Sequence, residues 1–150
     1  MLKILDSDKD AFGAIVNFEH QTPLRTTHDG KLGGSYDSLV YVKNDDPTLY
    51  YVDITFVPVS STYDDIDGEW GETGWGLKLL YGERRPTETE WDQVKSGEPI
   101  DLPDIGSTDA ADTANYYPIW VRAIVPGMTP AQRKTNVSVK VSYHAKNVGA

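Results

Sequence analysis

Two runs of strict alternation near the C-terminal end constrain the fold of this chain more than any other feature. Ile119, Val121, Ala123 and Val125 interleave with Trp120, Arg122 and Ile124. Val137, Val139, Val141 and Tyr143 interleave with Asn136, Ser138, Lys140 and Ser142. Between the two lies the breaker-rich run Pro126-Gly127-Met128-Thr129-Pro130. A period of two on both sides of a Pro/Gly connection predicts two β-strands, each with one buried face. The β-branched side chains suit a pleated surface, and a slip of one residue would turn them all to water, so the register is specified. Burial of one such valine face contributes at most roughly 5–10 kcal/mol. That is enough for the remaining strands to assemble on this pair as an organising hairpin.

Shorter versions of the pattern recur upstream. Gly13-Ala14-Ile15-Val16-Asn17-Phe18 is a candidate first strand. Residues 38–43 place Leu39 and Tyr41 on one face and Val40 and Val42 on the other. After the turn Asn44-Asp45-Asp46-Pro47, residues 49–59 put Tyr50, Val52, Ile54 and Phe56 on one face, with Tyr51, Asp53 and Thr55 opposite. These two strands are expected to pair as an antiparallel hairpin. Trp75, Leu77, Leu79 and Tyr81 alternate up to Gly82. Thr87 and Glu90 have the spacing of a capping box, and Trp91 and Val94 then share one side of a single short helix closed by Ser96-Gly97. Ile100 and Leu102 suggest a short strand before Pro103, and residues 104–115 form a polar loop. Many strands at turn-punctuated spacing with one helix predict an all-β chain, a two-sheet antiparallel β-sandwich of immunoglobulin-like or jelly-roll type.

The N-terminal part differs. Residues 1–12 are charged and aperiodic, and residues 20–35 turn to Thr, Gly, Pro and His, ending in Gly33-Gly34-Ser35. Residues 1–35 are therefore expected to form an extended N-terminal arm ahead of a sandwich domain over 36–150. Such a segment is either a binding arm that adds a strand to a neighbour's sheet or an ordinary surface loop.

The chain has 150 residues, enough for one domain with its own core. It contains no cysteine, which excludes disulfides and thiolate-ligated metals. Asp and Glu outnumber Lys and Arg by 23 to 14, for a net charge of −9, which argues against nucleic acid as partner. No apolar run is long enough to cross a membrane, and the sequence from Met1 lacks the apolar core of a signal peptide, so synthesis in a cytoplasm is expected. Acidic residues are dense over 37–112 and absent beyond, where Arg122, Arg133, Lys134, Lys140 and Lys146 lie. This asymmetry is either a mixed solvated surface or a basic edge that docks on an acidic neighbour.

Few side-chain groupings point to chemistry. In Asp64-Asp65-Ile66-Asp67-Gly68, placing Gly68 sixth in an EF-hand loop puts Tyr63 first and Gly74 twelfth, which excludes that motif. A looser calcium site from Asp64, Asp65, Asp67 and Glu69 stands beside the reading of a solvated acidic loop. His20, His28 and Asp29 match no metal-ligand spacing and read as loop residues. Trp75 and Trp91 fall at core positions, and Trp120, beside Arg122, covers a second sheet or an interface. Trp70 is exposed by position and is the candidate glycan contact if the chain is a carbohydrate-binding module. Gly71, Gly74 and Gly76 lack a following Lys-Ser/Thr and sit beside Glu69 and Glu72, which would repel phosphate. There is no Gly-x-Ser-x-Gly elbow. Asn136-Val137-Ser138 matches a glycosylation sequon within a strand, by chance. No catalytic, cofactor-binding or metal-binding residue is assigned, and no cofactor is expected.

Three stretches carry a resemblance. They are Tyr41-Val42-Lys43-Asn44-Asp45-Asp46-Pro47-Thr48-Leu49-Tyr50-Tyr51, Gly74-Trp75-Gly76-Leu77-Lys78-Leu79-Leu80-Tyr81-Gly82, and Tyr117-Pro118-Ile119-Trp120-Val121-Arg122 running on to Pro126-Gly127-Met128-Thr129-Pro130-Ala131. Over about residues 36–145 the chain resembles the small immunoglobulin-like sandwich proteins of tailed-bacteriophage particles, which act as capsid decoration (cement) proteins or as tail and baseplate components. The resemblance implies a non-enzymatic virion protein that binds the major capsid protein or other virion subunits, in many copies or as a homo-oligomer, without nucleic acid or membrane. Its expected contacts are Arg25, His28 and Lys31 in the arm and Arg133, Lys134 and Lys140 in the basic tail. A tail or baseplate adaptor and a glycan-binding module are the alternatives.

Overall fold

The computed structural model describes residues 2–6, 32–60, 76–110, 114–125, 127 and 137–149. They form strands β1 (Leu2–Asp6), β2 (Gly34–Asn44), β3 (Leu49–Ser60), β4 (Gly76–Tyr81), β5 (Ile100–Leu102), β6 (Tyr116–Val125) and β7 (Val137–Asn147), with one helix, α1 (Glu88–Asp92). One antiparallel sheet has the order β1-β2-β6-β4 and the other β5-β3-β7. Val40, Val42, Leu79 and Ile119 of the first sheet meet Tyr51, Ile54, Phe56 and Leu102 of the second in a single core cluster. The all-β sandwich expected from the alternation is the fold.

Neither expected hairpin forms. β2 and β3 belong to different sheets, and so do β6 and β7. A hairpin partner covers only a strand's edge, whereas β2 is apolar on both faces and needs cover above and below. Its Val40 and Val42 face the core, while Tyr41 on the other face is also buried and meets Tyr116 edge-on at 5.8 Å. The chain therefore crosses to the opposite layer after Asn44.

Asn44 makes that crossing possible. It is fully buried, and its Nδ2 donates to the carbonyls of Leu49 (2.8 Å) and Gly106 (3.0 Å), while its Oδ1 accepts from Asp46 N (2.9 Å). Asp46 in turn accepts from Thr48 N, Thr48 Oγ1 and Leu49 N, which accounts for its carboxyl lying below the usual range. These side chains satisfy backbone groups that a hairpin ladder would otherwise have paired.

β3 also departs from simple alternation. Its register with β7 shifts between Val52 and Thr55, and Asp53 has a φ of 53°, the left-handed region that Asp tolerates better than most residues. The extra residue changes the phase of the core face, from Leu49 and Tyr51 before the bulge to Ile54 and Phe56 after it. Tyr50 and Val52 therefore do not share a face with Ile54 and Phe56, contrary to the reading of one continuous stripe.

Two further differences concern the segments outside the strands. Residues 2–6, read as part of a loose arm, run as β1 along the edge of β2, from Leu2 opposite Asn44 to Asp6 opposite Val40, and β2 begins at Gly34. The candidate strand over 13–18 and the rest of the arm up to residue 31 lie outside the described residues. In the polar loop after β5, Ile105 is fully buried and exchanges both backbone hydrogen bonds with Tyr51 (2.9 Å each), a core position that a single apolar residue among polar ones does not announce.

Candidate functional site

The two outer faces of the sandwich are finished differently. On the four-stranded sheet, Asp37 of β2, Arg122 of β6 and Lys78 of β4 stand in register across three strands. The segment that follows β4 folds over this row. It can turn because Thr87 caps α1, accepting from Glu90 N while Glu90 Oε1 accepts from Thr87 N, and because Gly97 takes a φ of 80°. Trp91 of α1 is fully buried against the sheet. Gly76 permits the close approach, since a Cβ there would stand 2.5 Å from Ser96 Oγ and 3.0 Å from Ile124 Cδ1.

Arg122 is the centre of the contact. It is 6% exposed and donates to Asp37 through Nε (2.7 Å) and Nη2 (3.0 Å), and to Glu88 through Nη1 and Nη2 (2.8 Å each). Its guanidinium lies 4.9 Å from the Trp91 ring centroid. Arg85 Nε donates to Asp37 Oδ2 (3.0 Å), Lys78 Nζ to Trp91 O (3.0 Å) and Trp120 Nε1 to Glu83 O (3.3 Å). Burial alone would raise the Asp37 carboxyl, but the hydrogen bonds from Arg122 and Arg85 outweigh it and hold the group below its usual range. The bond from Arg122 likewise lowers Glu88, and Arg122 itself is raised by its bonds to Glu88 and Asp37. Both oxygens of Asp37 are engaged as permanent acceptors, so the cluster is suited to clamping residues 82–97 to the sheet and not to moving protons. The indole Nε1 of Trp91 and the hydroxyl of Tyr41 are buried with no hydrogen-bond partner, at a cost of about 1–3 kcal/mol each.

The outer face of the three-stranded sheet carries no such clamp among the described residues, although Val52 of β3 on that face is buried. Lys140, Ser142, His144 and Lys146 alternate along β7 on that face, and all four are exposed. His144 Nδ1 lies 3.1 Å from Asp53 Oδ2 at the bulge, with both side chains 74% exposed, and Thr55 Oγ1 donates to Asp101 Oδ1 (2.7 Å). On the other face of β7, Val139 and Val141 are half-buried against the core, and Tyr143 is 47% exposed, its ring edge-on to Tyr51 at 5.1 Å.

A shallow groove of ≈ 390 Å³ opens between the loop after β5 and the end of β7, lined by Tyr50, Asp104, Ser107, Asp109 and Val148. Among the described residues no group of three or more His, Asp or Glu is placed to hold a metal ion, and no helix is long and apolar enough to cross a membrane.

Of the residues singled out from sequence, Lys140 is the one partner-contact candidate within the described residues, and it is exposed on the outer face of the three-stranded sheet. Arg25, His28, Lys31, Arg133 and Lys134 lie outside them, as do His20, Asp29, the acidic run from Asp64 to Glu69, Trp70, Gly71, Gly74 and Trp75. Arg122 does not belong to a basic edge, because Asp37 and Glu88 neutralise it. Trp91 is buried as expected, against the outer face of its sheet beside Arg122, and Trp120 covers the same sheet beside residue 83. The Arg122 clamp was not foreseen; its only sequence signal is an arginine interrupting an otherwise apolar strand. No family model, curated protein or solved structure matches this chain.

Proposed function

We propose that this chain is a non-enzymatic structural subunit of a tailed-bacteriophage particle, a capsid decoration protein that binds and stabilises the assembled shell. The observation that carries the reading is the asymmetry of the two outer faces. One is covered by the chain's own segment 82–97 through a closed ionic clamp, while the other presents the exposed Lys140, Ser142, His144 and Lys146 of the long strand β7 and, among the described residues, no covering segment. Charged groups that are buried serve the fold, and the groups left to a partner are an exposed strand and its lysines. Resemblance in the strand and turn pattern over about residues 36–145 supports the particle as the partner.

The mechanism is surface burial. A subunit that binds the assembled lattice and not its dissociated parts stabilises assembly by mass action, about 2.7 kcal/mol per site when the free subunit is at a hundred times its Kd. Many equivalent sites then make a modest single-site affinity sufficient. The test is mass spectrometry of purified particles produced by the genome that encodes this chain. The expected result is presence in many copies per particle. A low copy number would assign it to the tail or baseplate, and absence from particles freed of soluble protein would overturn the reading.

A further inference from the structure

We propose that the edge of β7 that no described strand covers is a strand-addition site, and that its occupant is an extended partner segment alternating acidic with apolar residues. The proposal deepens the structural-subunit reading and rests on it for the identity of the partner. Its physical basis is the difference between the two edges of the three-stranded sheet. β5 is three residues long and lies between Pro99 and Pro103, which deny an incoming strand its donors. β7 is eleven residues long and contains no proline, and the register shift in its pairing with β3 comes from the extra residue in β3. Residues 142–149 are exposed without interruption, and among the described residues no strand pairs with the edge of β7 away from β3. In an antiparallel pairing, every second residue of β7 directs both its N–H and its C=O away from β3, toward that edge.

Side-chain chemistry selects the occupant. Lysines commonly protect an edge strand when they point inward, where an added strand would bury them. On β7 the core-facing positions are Val139, Val141, Tyr143 and Ala145, and the lysines stand on the solvent face. An added strand would therefore extend the apolar layer with its own inward residues and set its outward residues beside Lys140, Ser142, His144 and Lys146. Asp53 already faces His144, and Asp101 is held by Thr55 across the sheet, which leaves Lys140 and Lys146 without an ion-pair partner among the described residues. These two span roughly 20 Å of strand. A second β7 related by a two-fold axis would align lysine rows on one face and be repelled, so carboxylates are the complement.

The test is fluorescence anisotropy with a labelled ten-residue peptide of alternating valine and glutamate, and a matched valine–lysine peptide, each titrated to millimolar concentration. The wild-type chain should bind the glutamate peptide at least tenfold more tightly than the lysine peptide, with affinity falling as salt rises. The Lys140→Glu/Lys146→Glu variant, altered only at exposed positions, should invert that preference. Hydrogen exchange should show slowed amides over residues 140–146 when the glutamate peptide is bound. No binding of that peptide, unchanged preference in the variant, or slowed exchange elsewhere than β7 would overturn the proposal. Because no particle enters the assay, its failure leaves the structural-subunit reading standing, and absence of the chain from particles leaves the edge site standing.

Discussion

β6 and β7 have the same alternating signature, yet they end in opposite situations. β6 lies between β2 and β4, with Ile119 and Val125 in the core and Arg122 buried on its other face beneath Trp91. β7 has β3 on one side and no described strand on the other, and residues 142–149 are all exposed. The apolar set is similar in the two strands; the other set decides. Trp120, Arg122 and Ile124 offer surface and hydrogen bonds to a covering segment, whereas Lys140, Ser142, His144 and Lys146 are stable in water. One strand became the spine of a sheet and the other its rim.

The largest expected contrast is between Trp91→Ala and Tyr143→Ala. Removing Trp91 takes a fully buried ring from the β6 side and should destabilise by about 3–5 kcal/mol, with Tyr143→Ala within about 1 kcal/mol, both read from urea unfolding. Equal losses would mean that β7 is as enclosed as β6. Next, Asp37→Ala leaves Arg122 buried with only the exposed Glu88 to neutralise it, and should cost about 3 kcal/mol, against less than about 0.5 kcal/mol for Lys140→Ala. Asn44→Ala probes the layer crossing that separates the strands into two sheets. It orphans the carbonyls of Leu49 and Gly106, for an expected loss of about 2 kcal/mol in thermal unfolding.

The smallest effect is the pH dependence of the clamp. Asp37 and Glu88 are lowered in the folded state, so their contribution is fully present above their unfolded values near 4 and is lost as pH falls through the depressed folded ones. The urea midpoint should therefore drop as pH falls below about 4. In Arg122→Met that drop should be shallower, and an identical slope in the two proteins would show that other carboxylates dominate acid unfolding.

Much of the local structure was legible in the residues. The alternation over 38–43, 49–59, 77–81 and 119–125 marked strands that exist, Thr87 and Glu90 marked the cap that starts α1, and Trp91 was assigned to the core. Asp53 inside an aromatic and β-branched run was the visible trace of the bulge, but an exposed polar residue in a half-buried strand gives the same pattern. The candidate site was less legible. Lys140 was singled out from the charge asymmetry, whereas Arg122 was grouped with it because nothing near Arg122 in the chain announces Asp37, 85 residues away.

From the sequence alone came the extended or helical state of most described segments, the cap, the acidic character and the absence of thiol chemistry. Those properties depend on steric preferences and hydrogen bonds that act within a few residues. Tertiary structure alone decided which sheet each strand joined, that Asn44 carries the chain across layers, and that one outer face is clamped by the chain's own segment while the other presents the exposed side chains of β7. Each of these outcomes compares the total burial of alternative arrangements across the whole molecule, a sum to which residues distant in the chain contribute as much as neighbours.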